Sequence, residues 1–141
     1  MTRVLFVCVH NTGRSQMAEA FFNRLAREWG LDAVAQSAGT APGDRVNPIA
    51  VQAMAEAGVS LEGQRPGQLT PELAAQADRV ITMGCGVDAS ICPAGTYITE
   101  DWQLLDPHGQ PIEVVREVRD AVRRRVEALV EALVAPPEAR A

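Results

Sequence analysis

The chain has 141 residues, is 47% hydrophobic and 22% charged, and carries a formal net charge of −5 at pH 7 with a pI near 5.0. That length suits a single domain with a real core, and the acidic balance argues against general affinity for nucleic acid or an anionic membrane. All 13 basic residues are arginine, which excludes Schiff-base and lysine-nucleophile chemistry. No apolar stretch approaches the roughly 20 residues of a spanning helix, and the N-terminus lacks the pattern of a signal peptide. A cytoplasmic location is therefore expected, with three cysteines kept mostly reduced and an odd count that does not suit static bridges.

In chain order, Val4–Val7 reads as a buried strand ending at Cys8. A helix follows from Arg14 to about Trp29, with Met17, Phe21 and Leu25 on one face and Gly30 as its stop. Ala33–Gln36 is a second strand, and Ser37–Thr40 are small residues suited to close backbone approach. Asn47 and Pro48 form an N-cap and first helical position for a helix that stops at Gly58. Leu61–Leu69 reads as loop, and Thr70 caps a short helix. Arg79–Met83 is a third strand, Gly84–Gly95 is irregular, and Tyr97-Ile98 begins a fourth strand. Asp101–Pro111 reads as loop. A final helix from Ile112 to about Val134 carries the stripe Val115, Val118, Val122, Val126, Leu129 and Leu133. Residues 1–135 are expected to form one catalytic domain, with residues 136–141 a frayed tail. Alternating strands and helices predict an α/β fold, with a parallel sheet covered on both faces and ligands at the carboxyl ends of its strands.

The chemistry concentrates between the first strand and first helix, in VLFVCVHNTGRSQMAE. A helix N-terminus offers unpaired N–H groups and a positive partial charge, and a loop of small residues before it makes an oxyanion cradle. Cys8 opens this cradle and Arg14 closes it, with Val9, His10, Asn11, Thr12 and Gly13 between them. Alone, Cys8 would read as a buried apolar residue, but a thiol at a helix N-terminus beside an arginine favours the reactive anion. Ser15 can donate a hydrogen bond to the sulfur. Arg14 matches two oxygens of a phosphate-like group; its alternative is an ion pair with Glu19. Asn11 suits a left-handed conformation that turns N–H groups inward. His10 either contacts an anion or faces solvent, the second being preferred. Cys85 and Cys92 have poor spacing for zinc with His10 or His108, and Asp106-Pro107 alone is a turn pair.

CVHNTGRSQMAE, SAGT, Asp106-Pro107 and the order of elements resemble the low-molecular-weight protein tyrosine phosphatase superfamily. VITMGCGVDASICP and NPIAVQAMAEAGV are similar to its arsenate reductase branch. The resemblance implies a three-layer fold with a four-stranded parallel sheet flanked by helices on both faces, and Asp106 as general acid. It also implies a relay in which Cys8 attacks arsenate, Cys85 attacks Cys8, and Cys92 resolves Cys85 into a disulfide that thioredoxin reduces. No tightly bound cofactor is implied. Phosphate and sulfate are expected to compete for the cradle, and a monomer is expected.

Two alternatives stay open. A phosphatase acting through a phosphocysteine needs only Cys8, Arg14 and Asp106, but His108-Gly109 replaces the aromatic residues that usually follow Asp-Pro in those enzymes. TMGCG and EDWQLLDPHGQ also resemble reductases that use mycothiol. Some relatives build a potassium site, for which Asn11, Glu19 and Ser37 match, while Gly63–Gln68 offers no carboxylate.

Overall fold

A computed structural model describes residues 1–83 and 98–134 of the chain. The element order is β1 (Thr2–Cys8), α1 (Arg14–Glu28), β2 (Ala33–Gly39), α2 (Pro48–Glu56), α3 (Pro71–Gln76), β3 (Arg79–Thr82), β4 (Ile98–Asp101) and α4 (Ile112–Val134). The strands form one parallel sheet in the order β2-β1-β3-β4. Parallel strands need crossover connections; α1 lies between β1 and β2, and α2 and α3 lie between β2 and β3.

The two-residue period of β1 divides the core. Val4, Phe6 and Cys8 pack with α1, α2 and α4, whereas Leu5 and Val7 pack with Leu69 and Ala74 beside α3. Both faces of the sheet are thus covered, as an all-parallel sheet requires. Phe6 is fully buried between Phe22, 6.3 Å away in edge contact, and Trp102 at 5.5 Å between ring centroids. Trp102 belongs to the stretch expected to be loop. Its backbone N–H donates to the Thr82 carbonyl at 2.7 Å, which draws the indole into the core.

Local chemistry sets the helix ends. Asn47 Oδ1 accepts the Ile49 N–H and Thr70 Oγ1 accepts the Leu73 N–H, capping α2 and α3. Gly58 has φ +78° and lets the Val59 N–H close on the Met54 carbonyl, ending α2. On α4 the buried stripe is Val115, Val118, Val122, Val126, Leu129 and Val130; Leu133 is only partly buried at the helix end. Arg116 and Arg119 of α4 reach Glu56 of α2 on the surface, and the Arg116 hydrogen bond leads in holding the Glu56 carboxyl below its usual range.

The sheet is longer at its functional edge than the sequence pattern suggests. Strand β2 runs three residues past Gln36, pairing Ser37, Ala38 and Gly39 with Phe6, Val7 and Cys8. Gly39 has to be glycine there: a Cβ would stand 2.5 Å from the Val9 carbonyl oxygen. The expected irregular segment, Tyr97 and the expected tail lie outside the described residues. Among the described residues no helix is long and apolar enough to cross a membrane.

Candidate active site

Cys8 ends β1 and Arg14 begins α1, so the five residues between them form a loop at the carboxyl edge of the sheet. Every backbone carbonyl from Cys8 to Gly13 accepts a hydrogen bond from outside the loop. Thr40, Ala41, Gly43, Asn47 and Met17 give backbone N–H groups to the carbonyls of Cys8, Val9, His10, Thr12 and Gly13. The Asn11 carbonyl accepts from Gln16 Nε2 at 2.8 Å. In a trans peptide the next N–H points opposite to the carbonyl. Pinning the carbonyls outward therefore turns the N–H groups of Val9 to Arg14 toward the other side, a row of donors suited to a tetrahedral anion.

Asn11 is the turning point. It is fully buried and has φ +54°, the only positive φ of a non-glycine among the described residues. Its N–H donates to Cys8 Sγ at 3.1 Å, its Oδ1 accepts the Gly67 N–H, and its Nδ2 donates to Ser15 Oγ at 2.7 Å. These bonds offset the cost of a left-handed side-chain-bearing residue. They also fix the direction of the next contact. Ser15 Oγ accepts from Asn11, so its own hydrogen is free for Cys8 Sγ, 2.9 Å away. Cys8 is only 4% exposed, and its sulfur thus receives an N–H and an O–H donor. Ser15→Ala is expected to slow alkylation of Cys8 by iodoacetamide at neutral pH by about tenfold, the scale of one hydrogen bond to a charged group. Rates measured across pH on a chain in which Cys85 and Cys92 are serine check this; an unchanged rate refutes the donor role.

Arg14 is buried and does not pair with Glu19. Its Nη1 donates to the carbonyls of Met83, at 2.5 Å, and Leu104, at 2.8 Å. One side chain thus ties the cradle to the end of β3 and to the loop bearing Asp106. The Asp106 Oδ2 stands 3.8 Å from Arg14 Nη2, its side chain is half exposed, and its Oδ1 accepts the His108 N–H. Pro107 seats on the cradle: a Cβ on Gly13 would stand 3.0 Å from Pro107 Cγ. His10 and His108 are exposed, with ring centroids 5.9 Å apart, beside a cleft of about 360 Å³ that Thr12, Asp44, Arg45 and Pro48 also line. Cys8, Arg14, Ser15 and Asp106 thus meet at one site. Cys85 and Cys92 lie outside the described residues.

The reading from sequence did not include Gln16, Gln64 and Gly67. Gln64 Nε2 donates to both the carbonyl and Oε1 of Gln16, and the same loop sends Gly67 to Asn11. The only signal in the sequence was a glutamine in the first turn of a helix, followed by Met17 and Ala18.

Glu19 lies one turn beyond Ser15, and its Oε1 accepts from Ser37 Oγ at 2.8 Å. The Asn11 Oδ1 is already held by Gly67, the Ser37 hydroxyl is turned to Glu19, and Gly63–Gln68 brings no second carboxylate. The set does not fit a resident potassium ion, which wants several free oxygen donors, and no step runs through one. Burial pushes the Glu19 carboxyl above its usual range, with the Ser37 hydrogen bonds pulling it back only in part. Between the usual value and the raised one, the folded chain binds more protons than the unfolded chain, so this group costs stability as pH rises. Glu19→Gln keeps the acceptor for Ser37 and removes the charge. Its melting temperature is expected to exceed that of the wild type at pH 7, with the gain shrinking toward about pH 4.5. The gain should be the same in potassium and sodium chloride; a wild-type chain stabilised only by potassium would contradict the donor analysis.

Fold and site together bring a buried cysteine, an arginine and a row of backbone N–H groups to the carboxyl edge of a four-stranded parallel sheet. Residues 3–137 match the family described as low molecular weight phosphotyrosine protein phosphatase, and the chain belongs to that family. It is 40% identical over 131 residues to a glutaredoxin arsenate reductase of Synechocystis, covering 92% of this chain and 97% of that one. Among solved structures it is similar to an arsenate reductase in a phosphate-binding state, with 40% identity, a TM-score of 0.81 and coverage of 94% and 99% of the two chains. It also resembles the YwlE arginine phosphatase, with 29% identity, a TM-score of 0.84 and coverage of 97% and 99%.

Proposed function

We propose that the chain is an arsenate reductase acting through Cys8, Cys85 and Cys92. The single observation that carries the chemistry is the sulfur of Cys8. It sits at the base of a loop whose carbonyls are all turned out, and it receives hydrogen bonds from Asn11 and Ser15. Arsenate is a tetrahedral oxyanion of the size such a loop holds. Its oxygens bind the N–H groups of Val9 to Arg14 and the Arg14 guanidinium. The thiolate attacks arsenic, a sulfur–arsenic bond forms, and one oxygen leaves as water with a proton from Asp106.

The Cys85 thiolate then attacks Cys8 Sγ. A disulfide bond forms, and the electron pair of the sulfur–arsenic bond passes to arsenic, which leaves as arsenite. Cys92 attacks Cys85 and frees the Cys8 thiolate, leaving a Cys85–Cys92 disulfide. Each of these exchanges needs only an attacking thiolate. That disulfide is returned to two thiols by a dithiol protein of the thioredoxin or glutaredoxin kind, with thioredoxin the favoured donor. The enzyme would work as a cytoplasmic monomer with no bound cofactor.

The same cradle supports phosphoester hydrolysis, and the cleft beside His10 and His108 has room for a leaving group. We place this second, as a weak side activity. The proposal is tested by arsenate-dependent NADPH oxidation with thioredoxin and thioredoxin reductase. Sustained turnover with stoichiometric arsenite is expected. Turnover only with a small thiol such as mycothiol would replace the reductant, and phosphoester hydrolysis without any arsenite would replace the function.

A further inference from the structure

We infer that Gln16 is a positioning residue that aims one of the cradle's oxyanion donors; this rests on the oxyanion reading above. Six carbonyls, from Cys8 to Gly13, are pinned outward by six donors. Five of these are backbone N–H groups that no substitution except proline removes. The sixth is the side-chain amide of Gln16, on the carbonyl of Asn11.

The peptide it holds is the one between Asn11 and Thr12, immediately after the single strained residue of the loop. The left-handed backbone of Asn11 is a sparsely populated conformation that its surroundings have to hold. Gln16 Nε2 fixes the carbonyl side, so the Thr12 N–H on the opposite side is held toward the bound anion. Gln16 is itself held. It is fully buried, its Oε1 accepts from Gln64 Nε2 at 2.8 Å, and the same Gln64 nitrogen donates to its backbone carbonyl at 3.1 Å. The amide therefore cannot flip without opposing like groups at both ends. The loop of Gln64 also sends the Gly67 N–H to Asn11 Oδ1, so Asn11 is held on its carbonyl by Gln16 and on its side chain by a residue of the loop that holds Gln16.

The donor character of residue 16 is what matters, and this separates positioning from packing. Gln16→Met keeps length and volume but cannot donate. Removing an oxyanion donor outright costs about 10²–10³ in kcat, so loosening one should weaken inorganic phosphate binding and kcat/KM for arsenate by about tenfold. Gln16→Glu adds a finer readout. As a carboxylate it faces the Asn11 carbonyl with no hydrogen; as a protonated acid it donates as the amide does.

The experiment titrates phosphate by calorimetry into wild type and both variants, and follows kcat/KM from about pH 8 to about pH 5.5, a range in which a buried carboxyl titrates. The expected results are an approximately tenfold weaker phosphate affinity for Gln16→Met, and a Gln16→Glu to wild-type activity ratio that rises as pH falls. Taking the ratio cancels the ionisation of the substrate. Wild-type-like phosphate affinity in Gln16→Met, or a flat ratio for Gln16→Glu, would overturn the inference even if Gln16→Met folds poorly. A wild-type chain that binds no phosphate would overturn the oxyanion reading, and the inference with it.

Discussion

Cys8→Ser is expected to end arsenate reduction, lowering kcat by about 10⁴-fold or more, the scale of losing a nucleophile. Phosphate affinity should stay within a few-fold of the wild type. The reason is electronic rather than steric. Serine fits the buried site, and its oxygen can still accept from the Asn11 N–H and meet Ser15. A hydroxyl is not ionised near neutral pH. An oxygen ester of arsenate also offers no sulfur for Cys85 to attack, so the two electrons have no route to arsenic. The measurements are arsenite release and phosphate calorimetry on one preparation. A serine variant that still made arsenite would remove Cys8 from the mechanism.

Asp106→Asn carries the second large effect, a fall in kcat of about 10²-fold or more, within the span of general acid catalysis. Asparagine has the same shape, and its carbonyl oxygen can keep the hydrogen bond from the His108 N–H. Leu104 can still bind Arg14, and Pro107 can still seat against Gly13. Only the transferable proton is lost. Phosphate should bind as well as before, because the amide keeps the shape of the carboxyl 3.8 Å from Arg14 Nη2. On aryl phosphates the loss should shrink as the leaving group improves, since a good leaving group needs no proton. A loss of the same size for every leaving group would mean that Asp106 acts through the loop's shape.

What the sequence made legible was local. The cradle could be read because cysteine, small residues, arginine and a helix start lie within eight positions. Asn11 was readable because asparagine is one of the few side-chain-bearing residues that tolerate a left-handed backbone. Asn47-Pro48 and Thr70 announced their helices through caps that act over two or three residues. The parts that escaped the sequence reading depend on distance along the chain. Gln16 meets Gln64 forty-eight residues away, and Arg14 meets Leu104 ninety away. Strand β2 reached Gly39 because β1 offered it partners, although serine, alanine and glycine have little preference for strands. Trp102 lies in the expected loop, and its burial follows from its N–H bond to Thr82, twenty residues away.

The division of labour in the site follows. On the proposed mechanism, backbone groups fixed by the fold bind the oxyanion, and Cys8 and Asp106 supply the bond-making and the proton. Arg14 ties the cradle to the end of β3 and to the loop of Asp106. None of this distinguishes a reductase from a phosphatase, because both begin with the same thiolate. The distinction lies in where the second pair of electrons goes, and therefore in Cys85 and Cys92.

The most direct measurement is a single turnover with no external reductant. The fully reduced chain, with its three thiols, is mixed with excess arsenate, and arsenite and remaining thiols are counted. A reductase with an internal relay releases about one arsenite per chain and retains one of its three thiols, then stops. A chain that keeps all three thiols and releases no arsenite would contradict the account.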